Sequence, residues 1–304
     1  MKYLLTASLL LLSFTVCSQS KIAVNEQRLQ NRIFELSQFG KDSSGRDYRV
    51  AYTKGDQEGR AYFINLMKKA ALEVTIDYAG NIIGKRKGKN PALKPIAFGS
   101  HIDMVPDGGN YDGCVGSIAA LEIMEVLNEH SIVTEHPLEI IIFSNEEGGP
   151  VGSMAMSGVL TATGLKEKSQ SGLTIADGIK AIGGNADSIQ YCVRRKGDIK
   201  AFLELHIEQG GILEKENIQI GVVEGIVGIV DWDVTIEGFA NHAGTVESRK
   251  VISPLRSHRT VRESLPSYGS SCFKSQMYCY IMDVPIASVQ ISGVVPYTFV
   301  SATL

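Results

Sequence analysis

The chain has 304 residues, of which 44% are hydrophobic and 21% are charged, and its formal net charge at pH 7 is −3. This length is enough for two domains, and the composition is typical of a globular protein. The slightly acidic balance gives no electrostatic reason to expect nucleic acid as a partner, because nucleic-acid-binding surfaces are rich in lysine and arginine.

The N-terminal segment MKYLLTASLLLLSFTVCSQS combines Lys2 with an apolar run, Leu4–Val16, that small and polar residues follow. The run is shorter than the roughly 20 residues of a membrane-spanning helix, so we expect no stable membrane span. We interpret residues 1–19 as a secretory signal peptide, which predicts export to the periplasm or the medium. The alternative, which the residues before it disfavour, is lipid attachment at Cys17.

The next part of the chain alternates between helix and strand patterns. Apolar residues at helical spacing predict a first helix around Leu29 to Leu36, and further helices in EGRAYFINLMKKAALE, GSIAALEIMEVLNEH and GLTIADGIKAIGG. Strands are predicted in the two halves of VTIDYAGNIIGKRKG and in PIAFGSH, LEIIIFSN and IKAFLELHIEQGG. LEIIIFSN is apolar on both faces, which indicates a central position in the sheet. The order of elements predicts an α/β domain with a largely parallel sheet.

The character of the sequence changes near Gly221, where GVVEGIVGIVDWDVTIEGFANHAGT is interrupted by glycines and alternates between polar and apolar residues. This alternation predicts a half-exposed strand. We therefore assign residues 20–218 to a first domain and residues 219–304 to the start of a second, smaller one. From Val246 onward the sequence is rich in serine and follows neither the helical nor the strand period.

Four short segments stand at or just after predicted strand ends: GSHIDMVP, NYDGCVG, FSNEEGG and ELHIEQGG. In open α/β sheets such positions meet at one edge, so we expect their side chains to lie close together. The cysteines lack CxxC spacing, so the candidate metal ligands are imidazoles and carboxylates, a set that suits zinc or a similar divalent ion. These groups belong to His101, Asp103, Asp112, Glu146, Glu147 and His206.

Each candidate also has a purely structural interpretation. His101 alone, after an apolar strand, is more often a core or surface residue than a ligand, and His206 could be structural as well. Asp112 has the position of a helix N-cap before Gly113. The two glutamates could form a solvated loop. We favour the metal interpretation because all four segments occupy the same kind of position.

The adjacent glutamates Glu146 and Glu147 suggest a division of roles. Neighbouring residues at a strand end face opposite ways, so one carboxylate can bind a metal ion while the other acts as a general base toward water. A cation would also offset their mutual repulsion. Asp103 follows His101 by two residues, and its carboxylate would accept the second ring N–H of that histidine.

The segments GSHIDMVP, GGNYDGCVG, SNEEGG, ELHIEQGGILE and GFANHAGT together resemble the M20-type two-metal amidohydrolases. The resemblance, which runs from about Asn25 to Thr245, is strongest to N-carbamoyl-L-amino-acid hydrolases, allantoate amidohydrolases and β-ureidopropionases. It implies a metallohydrolase catalytic domain and a smaller α+β lid domain that mediates homodimerisation. The implied reaction is metal-dependent hydrolysis of a carbamoyl or ureido C–N bond in a small-molecule substrate.

The resemblance also implies which residues bind two divalent metal ions. His101 and His206 would bind one ion, Asp112 would bridge the two, and Glu147 would bind the second. Zinc is the expected metal, with manganese and cobalt as alternatives.

Catalytic and substrate-binding roles follow from the same resemblance. Glu146 would be the general base that activates water, and Asp103 would orient the metal-binding histidine before it. Gln209 would line the substrate pocket. Asn241 and His242, in the lid domain, would contact substrate, and the histidine would stabilise the oxyanion.

Two departures from the family pattern qualify these implications. Gly149-Pro150-Val151 replaces the usual run after the glutamates, which leaves the substrate open. After Thr245 the expected returning segment, with an arginine for substrate and a final metal-binding histidine, is not recognisable, and His258 is the only later histidine. We therefore expect an aberrant or frameshifted tail and an incomplete second metal site. The alternatives are a non-catalytic remnant of such an enzyme and an M20-like exopeptidase.

Overall fold

The computed structural model describes residues 22–225 with their side chains, and it describes the backbone alone for residues 228–236, 260–265 and 289–293. The predicted signal peptide and most of the predicted tail lie outside the described residues. The chain divides into two compact units, Met1–Gly211 and Ile212–Leu304. This division falls a few residues before the boundary that we placed at residue 218.

The described helices are α1 (Glu26–Ser37), α2 (Lys54–Lys69), α3 (Cys114–Glu129), α4 (Val151–Ser157), α5 (Ile175–Ala181) and α6 (Ile212–Lys215). The described strands are β1 (Glu73–Ile76), β2 (Ile82–Arg86), β3 (Ile96–His101), β4 (Leu138–Phe143), β5 (Ala201–Leu203), β6 (Gly228–Ile236), β7 (Thr260–Leu265) and β8 (Val289–Gly293). Each helix and strand that the sequence predicts in residues 22–203 is present, whereas α4 was not predicted.

The first unit contains a five-stranded sheet in the order β1-β2-β4-β3-β5. β3 pairs in parallel with both β4 and β5, while β2 pairs antiparallel with both β1 and β4. Only β2 therefore runs against the other strands, which confirms the predicted α/β fold with a mostly parallel sheet. β4 lies in the centre, as its apolar sequence predicts.

Helices cover both faces of this sheet. Ile140 and Ile142 of β4 belong to a core cluster that includes Phe63 of α2 and Leu121 of α3. Ile141, between them, packs with Met156 of α4 in a second cluster. All three isoleucines are fully buried, because alternate side chains of a central strand enter different layers.

The strand that we predicted in IKAFLELHIEQGG is much shorter than expected. β5 ends at Leu203, because this edge strand pairs only with β3 over three residues. The chain then passes over the first turn of α3, where a Cβ on Gly116 would lie 2.1 Å from the carbonyl oxygen of Leu205. A glycine is therefore required at this crossing, and the crossing carries His206 toward the loop before α3.

In the second unit, β6 pairs antiparallel with β7 on one side and with β8 on the other. Within the described part of the chain we find no helix with the length and apolar character that crossing a membrane requires. Cys114 and Cys192, the cysteines among the residues described with side chains, are both free and buried.

Candidate active site

The centre of the candidate site is His101, the last residue of β3, whose side chain is only 2% exposed. Its Nδ1 lies 3.1 Å from the backbone carbonyl oxygen of Asp103. The Asp103 carboxylate, which we predicted as the partner, is farther away at 3.7 Å. The carbonyl oxygen accepts a hydrogen bond, so it fixes the proton on Nδ1 and leaves the lone pair of Nε2 free to bind a metal ion.

The loop before α3 brings Asp112 to the free nitrogen of His101. Asp112 Oδ1 lies 3.6 Å from His101 Nε2. Gly113, which follows, has a φ of +60°, and a Cβ there would meet His101 Nε2 at 2.3 Å. The N-cap of α3 is Gly113, which makes no side-chain capping bond, so the alternative interpretation of Asp112 as a helix cap is wrong.

His206 completes the group from the other side. Its Nδ1 lies 2.9 Å from the Ile207 carbonyl oxygen, and its Nε2 lies 3.0 Å from Asp112 Oδ1. The other carboxylate oxygen, Asp112 Oδ2, accepts a 2.6 Å hydrogen bond from Gln209 Nε2. Both histidines thus use Nδ1 for a backbone carbonyl and turn Nε2 toward the same carboxylate.

This arrangement fits a divalent cation. Ligand atoms of His101, Asp112 and His206 all lie within 4.8 Å of one another. Two ligand atoms about 2.0–2.1 Å from a tetrahedral zinc ion lie roughly 3.4 Å from each other. The observed distances to Asp112 Oδ1 are close to this value: 3.6 Å from His101 Nε2 and 3.0 Å from His206 Nε2. Among the described residues, this is the one group of three such donors within reach of a single ion, and Glu147 lies outside it.

The two glutamates stand in a loop beyond the strand rather than on the strand itself. β4 ends at Phe143, and Asn145 has a φ of +47°, so strand alternation does not set the directions of Glu146 and Glu147. Glu146 Oε2 lies 3.5 Å from His101 Nε2. The backbone N–H of Glu147 donates a 3.1 Å hydrogen bond to Asp103 Oδ2, which ties the loop to the segment after β3.

Negative charge accumulates in this site. Burial raises the pKa of Glu147 to about 7; His101 opposes the rise, and the carboxylates of Asp112 and Glu146 add to it. Burial likewise raises the pKa of Glu146. Burial disfavours the charged form of His101, but the nearby carboxylates outweigh it and raise the pKa of that histidine. A divalent cation would neutralise these charges and relieve the cost of burying them.

Sequence reasoning missed a buried arginine under the site. The side chain of Arg49 is fully buried, and its Nε donates to the Ile102 carbonyl oxygen at 2.6 Å. Its Nη2 lies 3.2 Å from Cys114 Sγ, at the start of α3. Arg49 therefore supports the backbone beside both His101 and the Asp112 loop. The only hint in the sequence is a charged residue next to the apolar stretch VAY.

A second missed contact joins β3 to the segment after β5. Ser100 Oγ donates a 2.5 Å hydrogen bond to Glu204 Oε1, which helps to hold the chain that leads to His206. Asn241 and His242, the candidate substrate-binding residues of the second unit, lie outside the described residues.

The family model of peptidase family M20/M25/M40 matches residues 97–299 of the chain. The matched range includes all the candidate ligands and the two glutamates. It also continues past Thr245, where the resemblance in motifs ends.

Individual relatives point in the same direction. The chain is 38% identical over 226 residues to an N-carbamoyl-L-amino acid amidohydrolase of Geobacillus stearothermophilus, covering 73% of this chain and 55% of the relative. It is 41% identical over 239 residues to a ureidoglycolate hydrolase of Arabidopsis thaliana, covering 75% of this chain and 50% of the relative. It thus spans about half the length of the curated relatives it matches.

A solved structure gives a similar result for the fold. The crystal structure of a hydantoinase/carbamoylase family amidase from Burkholderia ambifaria matches with a TM-score of 0.63 and 33% identity, covering 74% of this chain and 56% of that one.

Proposed function

Because the chain belongs to peptidase family M20/M25/M40, we propose that it carries the site of a metal-dependent amidohydrolase that cleaves a carbamoyl or ureido C–N bond. The observation that carries the proposal is the group His101, Asp112 and His206, with Glu146 Oε2 3.5 Å from His101 Nε2. The substrate class comes from the relatives, one an N-carbamoyl-L-amino acid amidohydrolase and another a ureidoglycolate hydrolase.

In this proposal His101, Asp112 and His206 hold a divalent ion, for which zinc, manganese and cobalt are all suitable. When bound, such an ion polarises a carbonyl oxygen and lowers the pKa of water to about 7. The chain contributes the orientation of its ligands. Carbonyl oxygens on Nδ1 keep both imidazoles in the tautomer that offers Nε2.

Glu146 is the proposed general base. Its carboxylate takes a proton from the water that attacks the carbamoyl carbon, and it returns a proton to the leaving nitrogen as the C–N bond breaks. Cleavage of this bond releases ammonia and leaves a carbamic acid on the amino nitrogen, and the carbamic acid then loses carbon dioxide to give the free amino compound. Asp103 holds the glutamate loop through its bond to the Glu147 N–H, and its carbonyl oxygen orients His101.

The remaining assignments extend this proposal beyond the three-ligand group. Glu147 would bind a second divalent ion, and Gln209, which already bonds to Asp112, would face the substrate. Asn241 and His242 would bind substrate from the second unit, with homodimerisation through that unit. Residues 1–19 would direct export of the protein.

A substrate panel tests the reaction class. The purified chain is loaded with zinc, manganese or cobalt and incubated with N-carbamoyl-L-amino acids, ureidoglycolate, allantoate and dipeptides. We expect ammonia from one of the carbamoyl or ureido compounds and no cleavage of dipeptides. Dipeptide cleavage without ammonia release would instead support the exopeptidase alternative, and metal binding without any turnover would support the non-catalytic remnant.

A further inference from the structure

Asn81, at the turn into β2, is fully buried and uses both ends of its carboxamide. Its Oδ1 accepts a 3.0 Å hydrogen bond from the backbone N–H of Ser144. Its Nδ2 donates to the carbonyl oxygen of Gly152 at 3.1 Å and to Asp77 Oδ2 at 2.9 Å. Two of these partners, Ser144 and Gly152, flank the loop that carries the two glutamates.

The two ends of that loop are also joined to each other. The N–H of Gly152 donates to the Ser144 carbonyl oxygen at 2.9 Å, and the N–H of Val151 donates to the Asn145 carbonyl oxygen at 3.2 Å. Ser144 Oγ donates a 2.7 Å hydrogen bond to the Ala79 carbonyl oxygen, in the same turn as Asn81. The base of the loop is therefore pinned to the β1–β2 turn.

The orientation of the Asn81 carboxamide is determined by its partners. Nδ2 faces two acceptors, the Asp77 carboxylate and the Gly152 carbonyl, while Oδ1 faces an N–H donor. A flipped amide would place like groups together, which leaves buried polar atoms unsatisfied. Asp77 is itself held in place, because its Oδ1 accepts the N–H groups of Ala79 at 2.9 Å and Asn81 at 2.8 Å.

Close packing removes alternative positions for the carboxamide. A Cβ on Gly152 would lie 2.0 Å from Asn81 Oδ1 and 2.6 Å from the Ser144 nitrogen. The glycine at the start of α4 thus leaves space that the carboxamide fills. Alanine has a higher helix propensity than glycine. A loss of stability or metal affinity in Gly152→Ala would therefore come from this crowding and not from a weaker helix.

We propose that Asn81 is a positioning residue that fixes the loop between Ser144 and Gly152, and thereby Glu146 and Glu147, relative to His101. It contacts none of the candidate ligands and acts through the backbone at the two ends of the loop. The inference rests on the proposed function, in which Glu147 binds a metal ion and Glu146 takes a proton from the attacking water. Removing a residue that orients a ligand typically weakens metal binding by about 10- to 100-fold.

The test compares Asn81→Ala with Asn128→Ala in the full chain. Asn128 is a control of the same residue type: its carboxamide accepts a hydrogen bond from Arg86 Nε and donates one to the Ala70 carbonyl oxygen, at the opposite end of α3 from Asp112, although it is exposed whereas Asn81 is buried. Hydrogen exchange is measured on peptides covering residues 140–155, and Co²⁺ affinity is measured by calorimetry. We expect Asn81→Ala to speed exchange in the loop and to weaken Co²⁺ binding about tenfold. Asn128→Ala should change neither.

Gly152→Ala provides a second route if Asn81→Ala fails to fold, because it crowds the same contact and should show the same two changes. Glu147→Gln tests the assignment of Glu147 as a metal ligand separately from the inference about Asn81. If it weakens Co²⁺ binding while Asn81→Ala and Gly152→Ala do not, the inference about Asn81 is overturned and the proposed function stands. If Glu147→Gln binds Co²⁺ as the unaltered chain does, or the unaltered chain binds none, the assignment of Glu147 fails and the inference falls with it.

Discussion

The charged cluster between α1 and α3 pairs every carboxylate with an arginine, whereas the cluster beyond β3 and β4 gathers carboxylates around two histidines. Between the helices, Arg28 binds Glu122 at 2.6 Å and also contacts Glu129, while Arg32 binds Glu125. In this helix cluster two arginines are shared among three glutamates, so most of the negative charge is neutralised within the chain. The site cluster is balanced only if a cation joins it. Charge balance thus separates a cluster that stabilises the fold from one that is arranged to bind a ligand.

Removing His101 should give the largest effect, because this residue is at the centre of the site cluster. We expect His101→Ala to weaken Zn²⁺ or Co²⁺ binding by more than about 100-fold, because losing a ligand costs more than losing the partner of a ligand. Calorimetric titration measures the change. The control is His136→Ala, which removes a half-buried histidine whose Nδ1 contacts the Lys94 carbonyl oxygen. Equal affinities in the two variants would contradict the assignment of His101.

The helix cluster should respond to substitution through stability alone. Glu122 is buried, contacts Arg28 and accepts the N–H of Asn25 at 2.7 Å, so we expect Glu122→Gln to lower the free energy of unfolding by about 2 kcal/mol. Urea denaturation measures this loss, and Co²⁺ affinity should stay unchanged. Glu129→Gln, at the exposed end of the same cluster, should cost much less. A fall in metal affinity in Glu122→Gln would show that the two clusters are coupled.

Gly113 tests whether the shape of the site matters apart from its charge. Gly113→Ala would place a methyl group against His101 Nε2, so we expect metal affinity to fall about tenfold. Gly45→Ala is the matched control, since Gly45 also has a positive φ, +83°, but a Cβ there meets nothing within 4 Å. Both variants carry backbone strain of roughly 1 kcal/mol or more. Only the first should lose affinity in a titration.

The two clusters should give opposite dependences of stability on pH in the metal-free chain. Burial raises the pKa of Glu122, but the hydrogen bonds from Arg28 and the Asn25 N–H, together with the charges of Arg28 and Arg32, outweigh burial and lower it. The contribution of Glu122 is therefore present above its ordinary pKa and is lost as the pH falls. The pKa of Glu147 rises from 4.5 to about 7, so the folded state binds more protons than the unfolded state and stability falls as the pH rises through this window.

With a chelator present, thermal unfolding between pH 4.5 and 7 should show the fall, and Glu147→Gln should flatten it in part; Asp56 and Glu146, whose pKa values burial also raises, account for the remainder. The same flattening in Glu122→Gln, or no change in Glu147→Gln, would contradict the difference between the clusters.

The sequence predicted the parts of the site that follow from strand order. His101 is the last residue of β3, and parallel strands deliver their carboxyl ends to one edge, so its meeting with Asp112 was predictable from the pattern. The central place of β4 was also predictable, because its side chains are apolar on both faces. In both cases the position of the residue in the fold follows from the residues next to it in the sequence.

Other features of the site were not predictable, and several depend on contacts between residues far apart in the chain. Asn81 and Arg49 act on backbone groups between 10 and 71 residues away, and no local period encodes such partners. The predicted direction of Glu147 assumed a strand that in fact ends at Phe143. The partner of His101 Nδ1 was predicted as a carboxylate and is a carbonyl, because the backbone leaves strand geometry directly after β3.

The most direct test of the central claim is ammonia release from an N-carbamoyl-L-amino acid by the chain with and without a chelator, beside Glu146→Gln. We expect release that chelation abolishes and that zinc, manganese or cobalt restores, together with a loss of at least about 100-fold in Glu146→Gln at unchanged metal affinity. Release that survives chelation, or that Glu146→Gln leaves intact, would contradict the claim that His101, Asp112 and His206 hold the catalytic ion and that Glu146 moves the proton.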